Sequence, residues 1–211
     1  MTVTPRPAST VVLMDQRSKV YLTKRPITMK FFGGYYVFPG GAVEKGDYVV
    51  GEQFRQFYSE FDPAYLIAAA RELFEEVGVF LGSKKPASFQ IDTECNYRRK
   101  LVNGELDFIQ MLNQEKLCLN IGSLQYFGNL ITPKDKPIRF DTRFFLAKLP
   151  QEQFPKPDFH EIDDASWFLP QEAMEAYRKE EILLAPPTIL ALETIDKYLS
   201  GQPLIMPELK L

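Results

Sequence analysis

The sequence predicts an α+β chain, on three observations. Two strand-like runs at residues 10–15 and 19–25 sit on either side of the short turn Gln16-Arg17-Ser18. Two further strand-like runs follow much later, at 123–131 and 139–148. Segments with helical start and stop signals lie between and after them, at 62–78, 170–181 and 187–199.

Taken in order, residues 1–8 hold two prolines and read as a loose lead-in. Residues 10–15 read as a buried strand, and 19–25 alternate as its hairpin partner. A loop with Gly33-Gly34 follows, then a short strand at 35–38 runs into Pro39-Gly40-Gly41. In the acidic, aromatic-rich stretch 48–61, Phe54, Phe57, Tyr58 and Phe61 recur at near-helical intervals, as on the packed face of a helix. The next helix has Asp62 as N-cap, Pro63 at its first position, strong helix formers from Ala64 to Ala70, and Gly78 as its stop. Residues 93–120 are mostly helical in pattern and broken at Asn103-Gly104. The run 139–148 does not alternate simply, as expected of a strand covered on both faces. A proline-punctuated loop at 150–157 leads to a strand at 163–168. The helix at 170–181 then turns Ala173, Met174 and Tyr177 inward. Pro187 opens the last helix and Ser200-Gly201 close it. The tail 202–211 is apolar enough to pack on the domain or to make a homodimer.

With 211 residues, 45% of them hydrophobic, the chain can bury the core of one domain. A net charge of −3 and a pI near 5.4 argue against non-specific nucleic-acid binding, which needs a basic face. Cys95 and Cys118 are too few for a disulfide framework or a zinc site, so reduced thiols and a cytoplasmic location are expected. No apolar run reaches the length of a membrane span, and the first residues lack a signal-peptide core. His160 is the sole histidine, which excludes a histidine-rich metal site and places any His-based triad on that one residue.

The chemistry concentrates in Arg71-Glu72-Leu73-Phe74-Glu75-Glu76-Val77-Gly78-Val79. Glu72, Glu75 and Glu76 stand at i, i+3 and i+4, so one helix face carries three carboxylates, while Leu73, Phe74 and Val77 can anchor the other side. Three like charges repel unless something holds them, and a hard divalent cation with an oxygen-ligand preference would. By spacing alone a solvated acidic face with an Arg71–Glu75 pair is the better account. Phe38-Pro39-Gly40-Gly41, Arg71 and Gly78 tip the balance back to the cation.

Together these residues resemble the box of the Nudix hydrolases. In the usual box the glycine is followed at fixed spacing by a glutamate and then by the arginine of Arg-Glu-hydrophobic-x-Glu-Glu-x-Gly-hydrophobic. Here Asp47 occupies the glutamate position and the matching Arg71 comes sixteen residues late. The resemblance implies an α/β/α sandwich, a mixed β-sheet between helices. Residues 1–211 would form a single Nudix domain, with an insertion at about 48–61 and a helical insertion at about 93–120. Leu22-Thr23-x-Arg25, Lys30 and Gly34-x-x-x-Phe38-Pro39-Gly40-Gly41 resemble the extra motif of coenzyme A diphosphatases, with Pro26 and Lys30 as departures from it. The stretch 139–147 and Ala185-Pro186-Pro187-Thr188 are similar to the peroxisomal-type branch of that group and its bacterial relatives.

The resemblance implies a metal-dependent pyrophosphohydrolase acting on a small nucleotide, coenzyme A or acyl-coenzyme A first. ADP-ribose, dinucleotides or nucleoside triphosphates stay open as substrates, as does a non-catalytic nucleotide-sensing module. It assigns Glu72, Glu75, Glu76 and the Gly40 carbonyl to Mg²⁺ or Mn²⁺. Glu72 is the first choice of base and Glu161 the second. Arg71 holds the glycine loop and the carboxylates in place, with Asp47 as a candidate partner, and Arg25, Lys30 and Gly41 face substrate.

Overall fold

The computed structural model describes residues 3–49, 61–82 and 91–207. Its centre is β1 (Arg6–Met14), which pairs in parallel with β6 (Phe140–Lys148) along its whole length, from Arg6↔Phe140 to Met14↔Lys148. β2 (Val20–Lys24) follows β1 as an antiparallel hairpin arm and pairs in turn with β3 (Tyr36–Val37) and β7 (Asp164–Phe168). β4 (Gly40–Ala42) lies antiparallel to the first half of β1, and β5 (Gln125–Ile131) closes the far edge against β6. One parallel pair among antiparallel neighbours makes this the expected mixed sheet.

Both faces of the sheet are covered. Val11, Leu13, Phe145 and Ala147 point to one side, where α1 (Ala64–Val77), α2 (Ile91–Val102) and α3 (Phe108–Glu115) enclose the larger core. Val12, Met14, Phe144 and Leu146 point to the other, against Ala173 of α4 (Pro170–Arg178) and Ala191, Leu192 and Ile195 of α5 (Pro186–Leu199). Phe144-Phe145-Leu146-Ala147 therefore alternates between two apolar cores, which is why it shows no polar face. The structure is the expected α/β/α sandwich.

Some expectations need correction. Arg6, Pro7 and Ala8 are not a lead-in: they extend β1, because partners on β6 at Phe140, Asp141 and Thr142 take up their backbone. Asp62 still caps α1 by accepting from Ala64 N–H at 2.9 Å, but the helix begins one residue later than expected, at Ala64. Tyr177 of α4 is exposed, since the helix ends at Arg178 and its last turn lies beyond the core; only Ala173 is fully inward. In the tail, Leu204 and Met206 pack inward on the chain's own core while Ile205 points out. Of the aromatic stretch 48–61, Phe61 packs on Phe145, Tyr126 and Tyr65, and residues 50–60 lie outside the described ones. The helical expectation for 93–120 resolves into α2 and α3, separated at Gly104 with its left-handed φ of 67°.

Candidate active site

The site forms where β4 crosses the C-terminal half of α1. β4 lies so close to its neighbours that a Cβ on Gly40 would come within 2.3 Å of the Ser9 carbonyl oxygen. One on Gly41 would come within 2.3 Å of Glu72 Oε1. Only glycine allows this approach of backbone to carboxylate. Ser9 Oγ donates to the Tyr65 carbonyl at 2.6 Å and ties β1 to α1 behind the turn.

Arg71 organises the acids. Its Nε and one terminal nitrogen both donate to Asp47, each at 3.0 Å, and the second of these also donates to the Ala42 carbonyl at 2.8 Å. The other terminal nitrogen donates to Glu72 Oε1 and Glu75 Oε2, both at 2.9 Å. Arg71 is 4% exposed and Asp47 1%. The guanidinium therefore joins the glycine strand, the 3₁₀ turn Lys45–Tyr48 and the helix, which is the positioning role the sequence suggested. Glu76 reaches the glycine turn directly, accepting from Gly40 N–H at 3.3 Å, so the contact Gly40 makes with the cluster runs through its amide.

Glu161 arrives from a separate loop. That loop is docked on the end of α1 by Lys156 N–H to the Val77 carbonyl at 2.7 Å and Asp158 N–H to the Glu76 carbonyl at 2.9 Å. Glu161 then lines a cavity of about 170 Å³ together with Glu44, Glu72, Glu75, Glu76 and Arg25. Through Glu72, Glu76 and Arg25 this acidic cavity borders a larger one of about 310 Å³. The larger cavity runs over the sheet face past Gly40 and Gly41 to Phe31, Phe140 and Arg6. Arg25 thus sits between the two, and its buried Nε finds no hydrogen-bond partner among the described residues. Lys30 does not join it: the turn closed by Met29 N–H to the Pro26 carbonyl leaves Lys30 exposed and off both cavities. His160 is exposed as well, as its loop position suggested.

Burial is the main reason these carboxyls resist ionisation. It pushes Glu72 up to about 7 and Glu75 to about 8, against the opposing pull of Arg71. Glu76 is raised well above the ordinary range by burial and by Glu72 and Glu161. Glu161 is raised by burial and by Asp158. Such a set holds protons that a cation can replace. Among the described residues no three acid, histidine or cysteine side chains are gathered closely enough to hold a metal ion by themselves. An all-oxygen, open, charge-frustrated cluster fits a hard divalent ion that keeps water and substrate phosphates among its ligands.

Comparison with known proteins decides the family. The sequence matches the NUDT19 Nudix domain over residues 60–195, well over half of the chain. The chain belongs to the NUDT19 Nudix domain family. The broader NUDIX domain matches over residues 4–100. A Caenorhabditis elegans protein designated nudix hydrolase 7 is 30% identical over 192 residues, 90% of this chain and 60% of that protein. The Xenopus laevis acyl-coenzyme A diphosphatase NUDT19 is 24% identical over 85% of this Nudix chain and 60% of its own length. The chain thus spans about three-fifths of these relatives. A crystal structure of a NUDIX hydrolase from Alicyclobacillus acidocaldarius superposes with a TM-score of 0.82 at 26% identity, covering 99% of this chain and all of that one.

Asp47, the candidate partner offered for Arg71, is its bidentate acceptor despite the sixteen-residue displacement that follows it. One part of this Nudix site was not legible in the sequence. Arg98 of α2 was not singled out, although it is buried and donates to the Glu75 and Glu76 carbonyls. Its partners are backbone atoms, which leave no side-chain pattern to read.

The close approach at Gly41 makes a first prediction. Gly41→Ala drives a methyl group into Glu72 Oε1, so Glu72 must rotate away or β4 must lift. Overpacking of this kind costs about 1–3 kcal/mol of stability. Turnover should fall more than the KM for substrate rises, as steady-state kinetics beside urea unfolding would show.

Proposed function

We propose that this Nudix chain hydrolyses the diphosphate of coenzyme A or acyl-coenzyme A, using a divalent cation such as Mg²⁺ or Mn²⁺. The observation that carries the proposal is the junction of the two cavities, where the acidic cluster meets a trough lined by aromatic rings, threonines and Arg6 across the glycine turn. Glu72, Glu75 and Glu76 would hold the cation, with Glu161 facing them. The bound ion would screen phosphate charge and acidify a water molecule.

The chain's own residues supply the rest. Arg71 keeps the carboxylates in register without reaching substrate, since it is buried and fully engaged. Arg25, whose buried Nε has no hydrogen-bond partner among the described residues, would take a diphosphate oxygen as the substrate crosses from one cavity to the other. Glu72 is committed to Arg71, whereas Glu161 accepts no side-chain hydrogen bond among the described residues. That favours Glu161 over Glu72 as the group that takes the proton of the attacking water. A Glu161→Gln variant should retain Mn²⁺ binding but lose about a hundredfold or more in turnover, the usual range for a general base.

The relatives named acyl-coenzyme A diphosphatases support the substrate choice. So does the shape of the larger cavity: its floor of Ala8, Thr10, Phe140, Thr142 and Phe144 suits an extended substrate with apolar stretches better than a compact triphosphate. Chromatography of reactions on coenzyme A, ADP-ribose, a dinucleoside tetraphosphate and a nucleoside triphosphate tests this directly. The expected products are 3′-phosphoadenosine 5′-phosphate and 4′-phosphopantetheine, with none in EDTA. Intact coenzyme A beside cleaved ADP-ribose or triphosphate would remove the substrate assignment.

Proton release gives an independent check on the cation. In the metal-free protein Glu72 and Glu75 ionise near 7 and 8, above the ordinary 4.5 of an unfolded chain. Between those limits the unfolded state holds fewer protons than the folded one, so their contribution to stability is present below about 4.5 and lost as pH rises to 8. A cation displaces the same protons and relieves the repulsion. Thermal unfolding should therefore show a larger Mn²⁺-induced stabilisation at pH 8 than at pH 5.5. An equal shift at both pH values would place the ion elsewhere.

A further inference from the structure

A helix ends with four carbonyls that have no intrahelical partner. In α1 these belong to Phe74, Glu75, Glu76 and Val77. The Phe74 carbonyl accepts from Gly78 N–H, and the Val77 carbonyl from Lys156 N–H. The middle two belong to residues whose side chains sit in the acidic cluster, and Arg98 of α2 reaches both: Nε donates to the Glu75 carbonyl at 2.9 Å, and a terminal nitrogen to the Glu76 carbonyl at 3.0 Å, which also accepts from Asp158 N–H. Arg98 is 6% exposed and makes no ion pair with a carboxylate among the described residues. A guanidinium does not shed its proton, so its buried charge needs compensation. The negative end of α1 and the carboxyl of Glu161 provide it. A few residues further along α2, Leu101 and Val102 line the acidic cavity itself.

We propose that Arg98 is a positioning residue for the metal-holding carboxylates, and that the helical insertion is a working wall of the site rather than an ornament on it. Two rigid hydrogen bonds to successive carbonyls fix the rotation of the last turn of α1. That rotation sets where the Glu75 and Glu76 side chains project, because each carbonyl and its side chain share one Cα. The bidentate fork matters: a lysine in the same place could satisfy one carbonyl at a time. The turnover part of the proposal rests on the hydrolase reading; the clamp itself does not.

The test compares the full chain with Arg98→Met, Arg98→Lys and, as a control for lost stability, Ile195→Ala in the opposite core. Hydrogen exchange of amides 72–79 in metal-free protein should quicken severalfold or more in Arg98→Met and less in Arg98→Lys. Mn²⁺ affinity, read by electron paramagnetic resonance without substrate, should weaken by about ten- to a hundredfold. Turnover should fall by a similar factor, with KM nearly unchanged. Ile195→Ala should lower the melting temperature and leave Mn²⁺ affinity alone. If Arg98→Met does not accumulate, Arg98→Lys carries the same comparison at smaller amplitude. Wild-type exchange and Mn²⁺ affinity in the Arg98 variants would overturn the proposal, as would an equal loss of affinity in Ile195→Ala. If the wild-type protein takes up no Mn²⁺, the hydrolase reading fails, and exchange in the last turn alone decides whether Arg98 is the clamp.

Discussion

Glu76→Gln should fold as the wild type does and lose roughly a thousandfold in turnover, the scale on which a preorganised electrostatic group is missed. The hydrogen bond that the Glu76 carboxyl accepts from Gly40 N–H, at 3.3 Å, is long, and a glutamine carbonyl oxygen can accept it equally well. The substitution is close to isosteric, so packing against the turn is preserved. What disappears is a carboxyl whose ionisation burial, Glu72 and Glu161 oppose in the metal-free protein, and which can give a negative charge only when a cation displaces its proton. Removing a mutually repelling acid costs the metal-free protein nothing electrostatically, and its melting temperature should stay level or rise. In the presence of Mn²⁺ the order should reverse, because the variant binds the ion less well. Steady-state kinetics and thermal unfolding with and without Mn²⁺ cover both claims. Turnover near the wild-type value would dismiss Glu76 as a metal ligand and weaken the hydrolase assignment with it.

What could be read from the sequence was local. The box helix was legible because its signals lie within one segment: an N-terminal cap at Asp62, helix formers, the Glu72, Glu75 and Glu76 spacing, and Gly78, whose φ of 67° ends the helix. The glycine pair was legible because it is adjacent to proline and a strand. What escaped depends on partners distant in sequence. Arg6–Ala8 becomes strand only because residues 140–142 arrive beside it, and no periodicity in eight residues announces that. Lys30 was placed toward substrate by a motif from which it departs, and the turn through Pro26 and Met29 leaves it exposed and off both cavities. Asp47 was legible as a partner of Arg71 because the extra residues follow it: its spacing from Gly41 is unchanged, and Arg71 meets it after the longer path.

Arg71→Met is expected to produce the largest loss of stability. Among the described residues Arg71 makes five hydrogen bonds, to Asp47, Glu72, Glu75 and the Ala42 carbonyl. Burial by itself would pull its proton off more easily, but Glu72, Asp47 and Glu75 together push its pKa up, so the charge is permanent. Methionine fills much of the same volume and offers none of these bonds. Asp47 and Glu75 are then left buried without a cation, a loss of about 3–5 kcal/mol for a broken buried ion pair. The loss has a pH signature that a simple packing defect lacks. Without the guanidinium, which opposes the rise at both, Glu72 and Glu75 ionise at still higher pH in the folded state, so stability falls further as pH rises through that range and recovers on acidification. Urea unfolding at pH 5.5 and pH 8 should show the wild-type-to-variant gap widening at the higher pH. Arg71→Lys should close part of it, since an ammonium keeps the charge and loses the fork that reaches three acids at once. A gap below about 1 kcal/mol at pH 8, in the range of exposed pairs, or one that does not change with pH, would mean that Asp47, Glu72 and Glu75 find their compensation elsewhere.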